Sequence, residues 1–213
     1  MYKLSKIHGY AAALRIANFD TDQVMPKQFL RGIDKAGLAQ GLFYDLRFDE
    51  RGEPKQNFFL NQPAYAKTDI LLAGPNYGCG SSREHAVWGM QQFGFKAVIA
   101  SSFAEIFYSN AMGNGLLLVV LPEDQVQALM KEADDKGAPI SVDIDIENLK
   151  VRTTHHEFTF PMSARHRRMF LEGLDVIGLT LKYKAEIDTF AQKHWNNQPW
   201  VKDVARKTMD RLN

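Results

Sequence analysis

Three short apolar runs dominate the middle of the sequence: TDILLAG (68–74), KAVIAS (96–101) and LLLVVL (116–121). None alternates apolar with polar residues, so a strand made from any of them has no solvent-facing side. REHAVWGMQQFG and SFAEIFYSNAMGNG lie between the runs, and PEDQVQALMKEADDKG follows the third. Apolar residues recur in these segments at helical spacing, as with Ala86, Val87, Met90 and Phe93. Buried strands alternating with helices indicate parallel pairing with both sheet faces covered. Ser81 stands three residues before Glu84, and Ser102 three before Glu105, so the first two of these helices are expected to open with capping boxes.

The flanks complete the expected architecture. YAAALRIA (10–17) reads as a short strand. ISVDIDI (140–146) alternates strictly and is expected to lie half-buried, antiparallel to LKVRTTHHEFTF across a turn at Glu147 and Asn148. On that second strand His155 and His156 face opposite ways and cannot chelate together. Residues 163–173 read as an arginine-rich helix, and a last helix near 184–195 precedes a polar stretch. The expected fold is α/β: three layers, a mainly parallel central sheet and an appended hairpin over residues 1–195, with 196–213 as a C-terminal tail. Residues 27–68 form an irregular region in which QFLRGIDKAGL (28–38) can make one helix and DERGEPKQN is a loop. Long irregular segments in compact domains are functional or mobile, and mobility is expected here.

Bulk properties exclude several classes. The 213 residues suit one domain, and a net charge of +1 gives no electrostatic reason to expect nucleic acid. An acidic substrate would need local positive charge, not global charge. The single cysteine, Cys79, rules out an internal disulfide and fits a reducing compartment. One thiol cannot hold an iron–sulfur cluster or a thiolate zinc site, so no metal ligands are assigned to this chain. The first twenty residues lack an apolar signal core, and no apolar run reaches membrane-spanning length, so a cytoplasmic protein without a membrane anchor is expected.

The stretch GPNYGCGSSREHA (74–86) carries the candidate chemistry. A glycine-rich turn leaving a parallel strand places the next helix start at the carboxyl edge of the sheet, where ligands of open α/β folds bind. Free N–H groups of Ser81, Ser82 and Arg83, with the fork of donors on Arg83, would suit an anion. Ser81 acting only as a cap, with Gly78 and Gly80 only permitting the turn, fits the spacing equally well. The stretch is not a P-loop, because no lysine follows Gly80, and it lacks the flanking glycines of a nucleophile elbow. Cys79 at a helix start could carry a lowered pKa, but His85, at the fourth helical position, points away from it. In NFDTDQVMP, Asp20 and Asp22 stand two apart, yet Val24 occupies the place where a calcium loop needs an oxygen ligand, and taken alone the pair is better read as an Asx turn before Pro26. Arg165, His166, Arg167 and Arg168 make a basic face without interleaved aromatics, unlike a nucleic-acid site.

Three segments together resemble one family: NFDTDQVMPKQFL (18–30), NYGCGSSREHA (76–86) and FKAVIASSFAEIFYSNAMGNGLLLV (95–119) are similar to the small subunit of 3-isopropylmalate dehydratase, which corresponds to the swivel domain of aconitase. GLDVIGLTL (173–181) resembles the same subunit's C-terminal region, so the likeness runs to about residue 190. The resemblance implies a β/β/α swivel fold and a hydro-lyase that interconverts 2- and 3-isopropylmalate through 2-isopropylmaleate in leucine biosynthesis. It implies a 4Fe-4S cluster carried by a partner large subunit, with this chain inactive alone. By match to the family motif, Ser81 is the catalytic base, Arg83 shares the catalytic role, and Ser82 and Arg83 grip substrate carboxylate. Asp20 and Asp22 join the substrate-binding set in an orienting role. Cys79 stands where aconitases usually carry glutamate. An isopropyl group needs an apolar wall, which makes Lys27, Gln28, Phe29, Leu30 and Arg31, in the loop running to Ile33, the candidate specificity loop. Hydro-lyases for citramalate, methylmalate or homoaconitate, and a non-catalytic anion-binding regulatory module, are the alternatives.

Overall fold

The computed structural model describes residues 2–30, 36–81 and 83–212. Strands β1 (Lys6–Leu14), β2 (Thr68–Ala73), β3 (Ala97–Ala100), β4 (Leu117–Val120), β5 (Ile140–Asp145), β6 (Lys150–Arg152) and β7 (Glu157–Thr159) form one sheet in the order β4-β3-β2-β1-β5-β6-β7. β1 to β4 are mutually parallel, and β5, β6 and β7 add in antiparallel fashion beyond β1. The helices are α1 (Thr21–Val24), α2 (Leu38–Gly41), α3 (Tyr44–Arg47), α4 (His85–Phe93), α5 (Glu105–Asn114), α6 (Glu123–Lys136), α7 (Ala164–Glu172), α8 (Val176–Leu181), α9 (Lys184–Asn197) and α10 (Val204–Leu212).

The continuous apolar runs are the buried centre, as expected. Every residue of β3 is buried, and only Asp69 of β2 and Val120 of β4 are partly open. α6 packs over β1, β2, β3 and β5, while α4 packs against α2 and α5. The α/β expectation therefore holds, with the hairpin continuous with the main sheet through β1. The first strand starts at Lys6, four residues before the expected segment, and ends at Leu14.

Four local expectations are corrected. LKVRTTHHEFTF is two strands, not one: Thr153 N–H donates to His156 O, closing a turn that sends β7 back along β6. His155 and His156 sit on that turn, His156 stacked on Phe158. Neither predicted capping box forms. α4 is preceded by Glu84 in helical conformation, and α5 by Ala104, each without a side-chain cap. Ser102 Oγ instead accepts the Asn76 N–H at 2.8 Å, tying the loop after β2 to the loop after β3.

Residues 36–68 are more structured than expected. Leu38, Leu42 and Phe43 are buried, and the Arg47 guanidinium lies 4.9 Å from both the Phe48 and Phe93 ring centres. Asn61 Nδ2 donates to Arg47 O and Lys55 O, closing the segment on itself. Packing of this kind opposes the expected mobility. QFLRGIDKAGL is not one helix: a 3-10 turn covers Lys27–Phe29, and α2 starts after Gly37, whose φ of +74° breaks a continuous helix. The middle of that stretch, 31–35, lies outside the described residues.

The chain divides into two compact units, residues 1–175 and 176–213. That boundary falls before the one drawn from sequence at 195. In the second unit the expected polar tail contains a 3-10 turn (Pro199–Val201) and α10, and no residue of α8, α9 or α10 is buried. Among the described residues no helix is long and apolar enough to cross a membrane.

Candidate active site

After β2 the chain runs through residues 74–84 beside the segment that follows β1. The two loops pair like short parallel strands. Pro75 O accepts the Asn18 N–H, Phe19 O the Gly78 N–H and Cys79 O the Thr21 N–H, all at 2.8–2.9 Å. Asp20 and Cys79 form a parallel bridge. Beneath them Phe19 and Tyr77, both fully buried, stack with ring centres 5.6 Å apart. Burial pushes the Tyr77 phenol well above its ordinary pKa, and its hydroxyl donates to Met90 Sδ at 3.4 Å. This pairing requires left-handed backbone at Gly78 (φ +79°) and Gly80 (φ +89°). A side chain at 78 would strike the Phe107 ring, and one at 80 the Asp20 carboxylate.

The acidic turn supports the glycine loop from below. Asp20 caps α1: its carboxylate accepts the Asp22 N–H at 2.6 Å, and Gln23 Oε1 accepts the Asp20 N–H at 3.0 Å. A capping box therefore exists here instead of at Ser81. Thr21 is only 3% exposed. Its hydroxyl accepts the Ser81 N–H at 2.9 Å and donates to Ser81 O at 3.0 Å. Asp22 turns outward, one oxygen 3.4 Å from Arg83 Nη1 and the other 3.2 Å from Lys27 Nζ. Two cations share the Asp22 carboxylate, and with the Asp20 carboxylate two residues away the cluster is close to neutral. Both pairs are partly exposed, so each contributes at most about 1 kcal/mol.

The structure thus gathers Asp20, Asp22 and Lys27 from one segment of sequence with Ser81 and Arg83 from another. Ser81 is half-buried and both its backbone polar groups are engaged by Thr21, leaving the hydroxyl as its remaining polar group. The expectation of a free Ser81 N–H at the start of a helix is not met, because α4 begins only at His85. Arg83 commits one of its five donors to Asp22, at 3.4 Å. Ser82 and Arg31 lie outside the described residues. In the specificity segment, Phe29 and Leu30 pack against the core, Phe29 with its ring 5.0 Å from Tyr44, and Gln28 reaches Asp45 at 3.5 Å. Among the described residues of that group, only Lys27 turns to the acidic turn.

Cys79 is no helix-activated thiolate. Its thiol donates to Asn18 O at 3.1 Å, and burial, followed by the negative charge of Asp20, pushes its pKa up. His85 is the first helical residue and its ring lies tilted against Trp88 with centres 4.9 Å apart. The basic face on α7 is partly spent on structure: Arg167 holds the carbonyls of Ile146 and Glu147, and Arg168 pairs with Glu172. Among the described residues, no three His, Cys, Asp or Glu side chains group to hold a metal ion. Sequence reasoning missed Thr21. Its only signal was a β-branched hydroxyl residue between two aspartates that drew the attention.

Comparison with known proteins agrees with the motifs. The family model of the aconitase C-terminal domain matches residues 1–124. The 3-isopropylmalate dehydratase small subunit 1 of Chromobacterium violaceum is 55% identical over 210 residues, covering 98% of each chain. The small subunit from Phenylobacterium zucineum is 47% identical, covering 94% of this chain and 98% of its own. A crystal structure of 3-isopropylmalate dehydratase from Methanocaldococcus jannaschii superposes with a TM-score of 0.60 at 29% identity, over 86% of this chain and 98% of that one. With a glycine loop seated on an acidic turn and likeness along nearly its whole length, the chain belongs to the 3-isopropylmalate dehydratase small-subunit family, built on the aconitase C-terminal domain.

Proposed function

We propose that this chain is the small subunit of a hydro-lyase that interconverts 2- and 3-isopropylmalate by loss and re-addition of water through 2-isopropylmaleate, a step of leucine biosynthesis in the cytoplasm. The observation that carries the reading is a loop on which Ser81, held through its backbone by Thr21, and Arg83, paired with Asp22, stand two residues apart over the acidic turn. Dehydration of a malate skeleton needs a base to take a weakly acidic proton beside a carboxylate, and a cation to hold the charge that then spreads into that carboxylate. Ser81 Oγ takes the proton. Arg83, with Ser82 beside it in sequence, binds the carboxylate through its guanidinium fork. Lys27 adds charge on the other side of Asp22. Asp20 and Asp22 act by orientation: a carboxylate facing a dianionic substrate repels it, whereas each aspartate here is bound to a group of the loop or turn.

The chain supplies only half of this chemistry. Its one thiol, hydrogen-bonded to a backbone carbonyl, cannot supply the several thiolates a 4Fe-4S cluster needs, and we assign that cluster to a partner large subunit. That cluster supplies Lewis acidity toward the substrate hydroxyl. Electrostatics also explains why the isolated chain would be inactive. The Asp20 charge that raises the Cys79 thiol works equally against an alkoxide at nearby Ser81, and no helix start reaches the serine. The positive field needed to lower the Ser81 pKa must come from the docked partner. The test is anaerobic co-purification with the large subunit and assays on substituted malates. Turnover of isopropylmalate above citramalate, methylmalate and homoaconitate supports the reading; preference for one of those overturns the substrate, and no turnover of any overturns the enzyme.

A further inference from the structure

We infer that Thr21 is the positioning residue that sets the catalytic orientation of Ser81; the inference rests on the base role proposed above. Ser81 follows Gly80, whose φ of +89° is open to glycine in several alternative forms, so nothing in the local backbone holds the serine in one place. Thr21 grips the loop on both sides of that glycine. Its backbone N–H donates to Cys79 O at 2.8 Å, and its side-chain hydroxyl donates to Ser81 O at 3.0 Å while accepting the Ser81 N–H at 2.9 Å. One residue thus supplies three hydrogen bonds across Cys79, Gly80 and Ser81. The hydroxyl does for Ser81 what a neighbouring strand does for a ladder residue: it satisfies a donor and an acceptor at once.

Two features fit Thr21 to this task. Its Cβ branch restricts χ1, so the hydroxyl is presented in a fixed direction, and its near-complete burial removes competing water. Thr21 is itself fixed as the first residue of α1 by the Asp20–Gln23 capping box directly before it. The chain of restraint therefore runs from the capping box to Thr21, from Thr21 to the Ser81 backbone, and from there to Oγ. Thr21 touches no substrate. A base displaced by about 1 Å from its proton can lose a hundredfold in rate, so restraint of this loop acts on kcat.

The test uses the enzyme reconstituted with its large subunit and reads kcat, KM, subunit assembly and thermal unfolding. Thr21→Val keeps the shape and removes the hydroxyl; kcat is expected to fall by roughly ten- to a hundredfold with assembly intact and KM within about twofold. Thr21→Ser, which keeps the hydroxyl, should restore most of kcat. Wild-type kcat in Thr21→Val overturns the inference, as does equal impairment of Thr21→Val and Thr21→Ser, which would show that any change of packing at this position, not loss of the hydroxyl, lowers kcat. Should Thr21→Val fail to fold, Thr21→Ala and Thr21→Ser share the same methyl loss, and equal kcat in that pair is again fatal. Ser81→Ala in the same assay separates the two levels. Normal turnover there removes the proposed base and this inference together, whereas an inactive Ser81→Ala beside a normal Thr21→Val removes this inference alone.

Discussion

At the scale of residues, the site is a loop whose freedom is deliberately limited by its neighbours. Gly80 is open to test because its conformation and its surroundings both forbid a side chain: φ is +89° and the Asp20 carboxylate fills the space. Gly80→Ala is expected to lower stability by about 1–3 kcal/mol in urea unfolding, and an unchanged midpoint would contradict the close seating of loop on turn. Arg83→Lys keeps the charge but loses the planar fork, so KM for isopropylmalate should rise by roughly tenfold, equivalent to about 1.4 kcal/mol. An unchanged KM would show that Arg83 acts as a point charge. Ser81, Arg83 and the two aspartates were all legible in the sequence because a family motif marks them. Thr21 was not, since its role exists only once residues 60 positions apart lie side by side.

At the scale of elements, buried strands were legible and their ends were not. Runs such as Ile70–Leu71–Leu72 have no polar face to offer water, and the sheet buries them wherever they occur. Capping is a different kind of signal, because serine caps a helix only if its own backbone is free to do so. The Ser81 backbone is held by Thr21, and the Ser102 hydroxyl by Asn76, so neither is available and the box forms at Asp20 and Gln23. The β6–β7 turn was missed for want of a glycine or proline in TTHH. That hairpin carries its own pH signature. Lys150 and Arg152 hydrogen-bond to Glu157 and draw its pKa from 4.5 down to about 2. A depressed carboxylate stabilises the folded form above its unfolded pKa, and the contribution is lost as pH falls from about 4.5 towards 2. Amide exchange at Val151 and Phe158 should therefore quicken over that interval beyond the change in intrinsic rate, less so at high salt. Flat protection across it would contradict the pairing.

At the scale of the molecule, the chain is a well-packed sheet unit followed by a helical unit with no buried residue among those described. The core clusters entirely within residues 1–175, so a chain ending at Asp175 is expected to unfold in one cooperative transition, seen by circular dichroism. A chain that fails to fold would show that the last 38 residues stabilise the sheet unit directly. A polar tail was the natural sequence reading because charged residues are spread through 202–211, but the apolar ones among them recur at helical spacing. The central claim is that this chain brings the base to a site whose other half lies on the partner. The most direct measurement is turnover of 3-isopropylmalate by the reconstituted complex carrying Ser81→Ala. The account predicts normal assembly with kcat reduced by at least about a hundredfold, the scale of a lost general base. Assembly with near-normal kcat would contradict it.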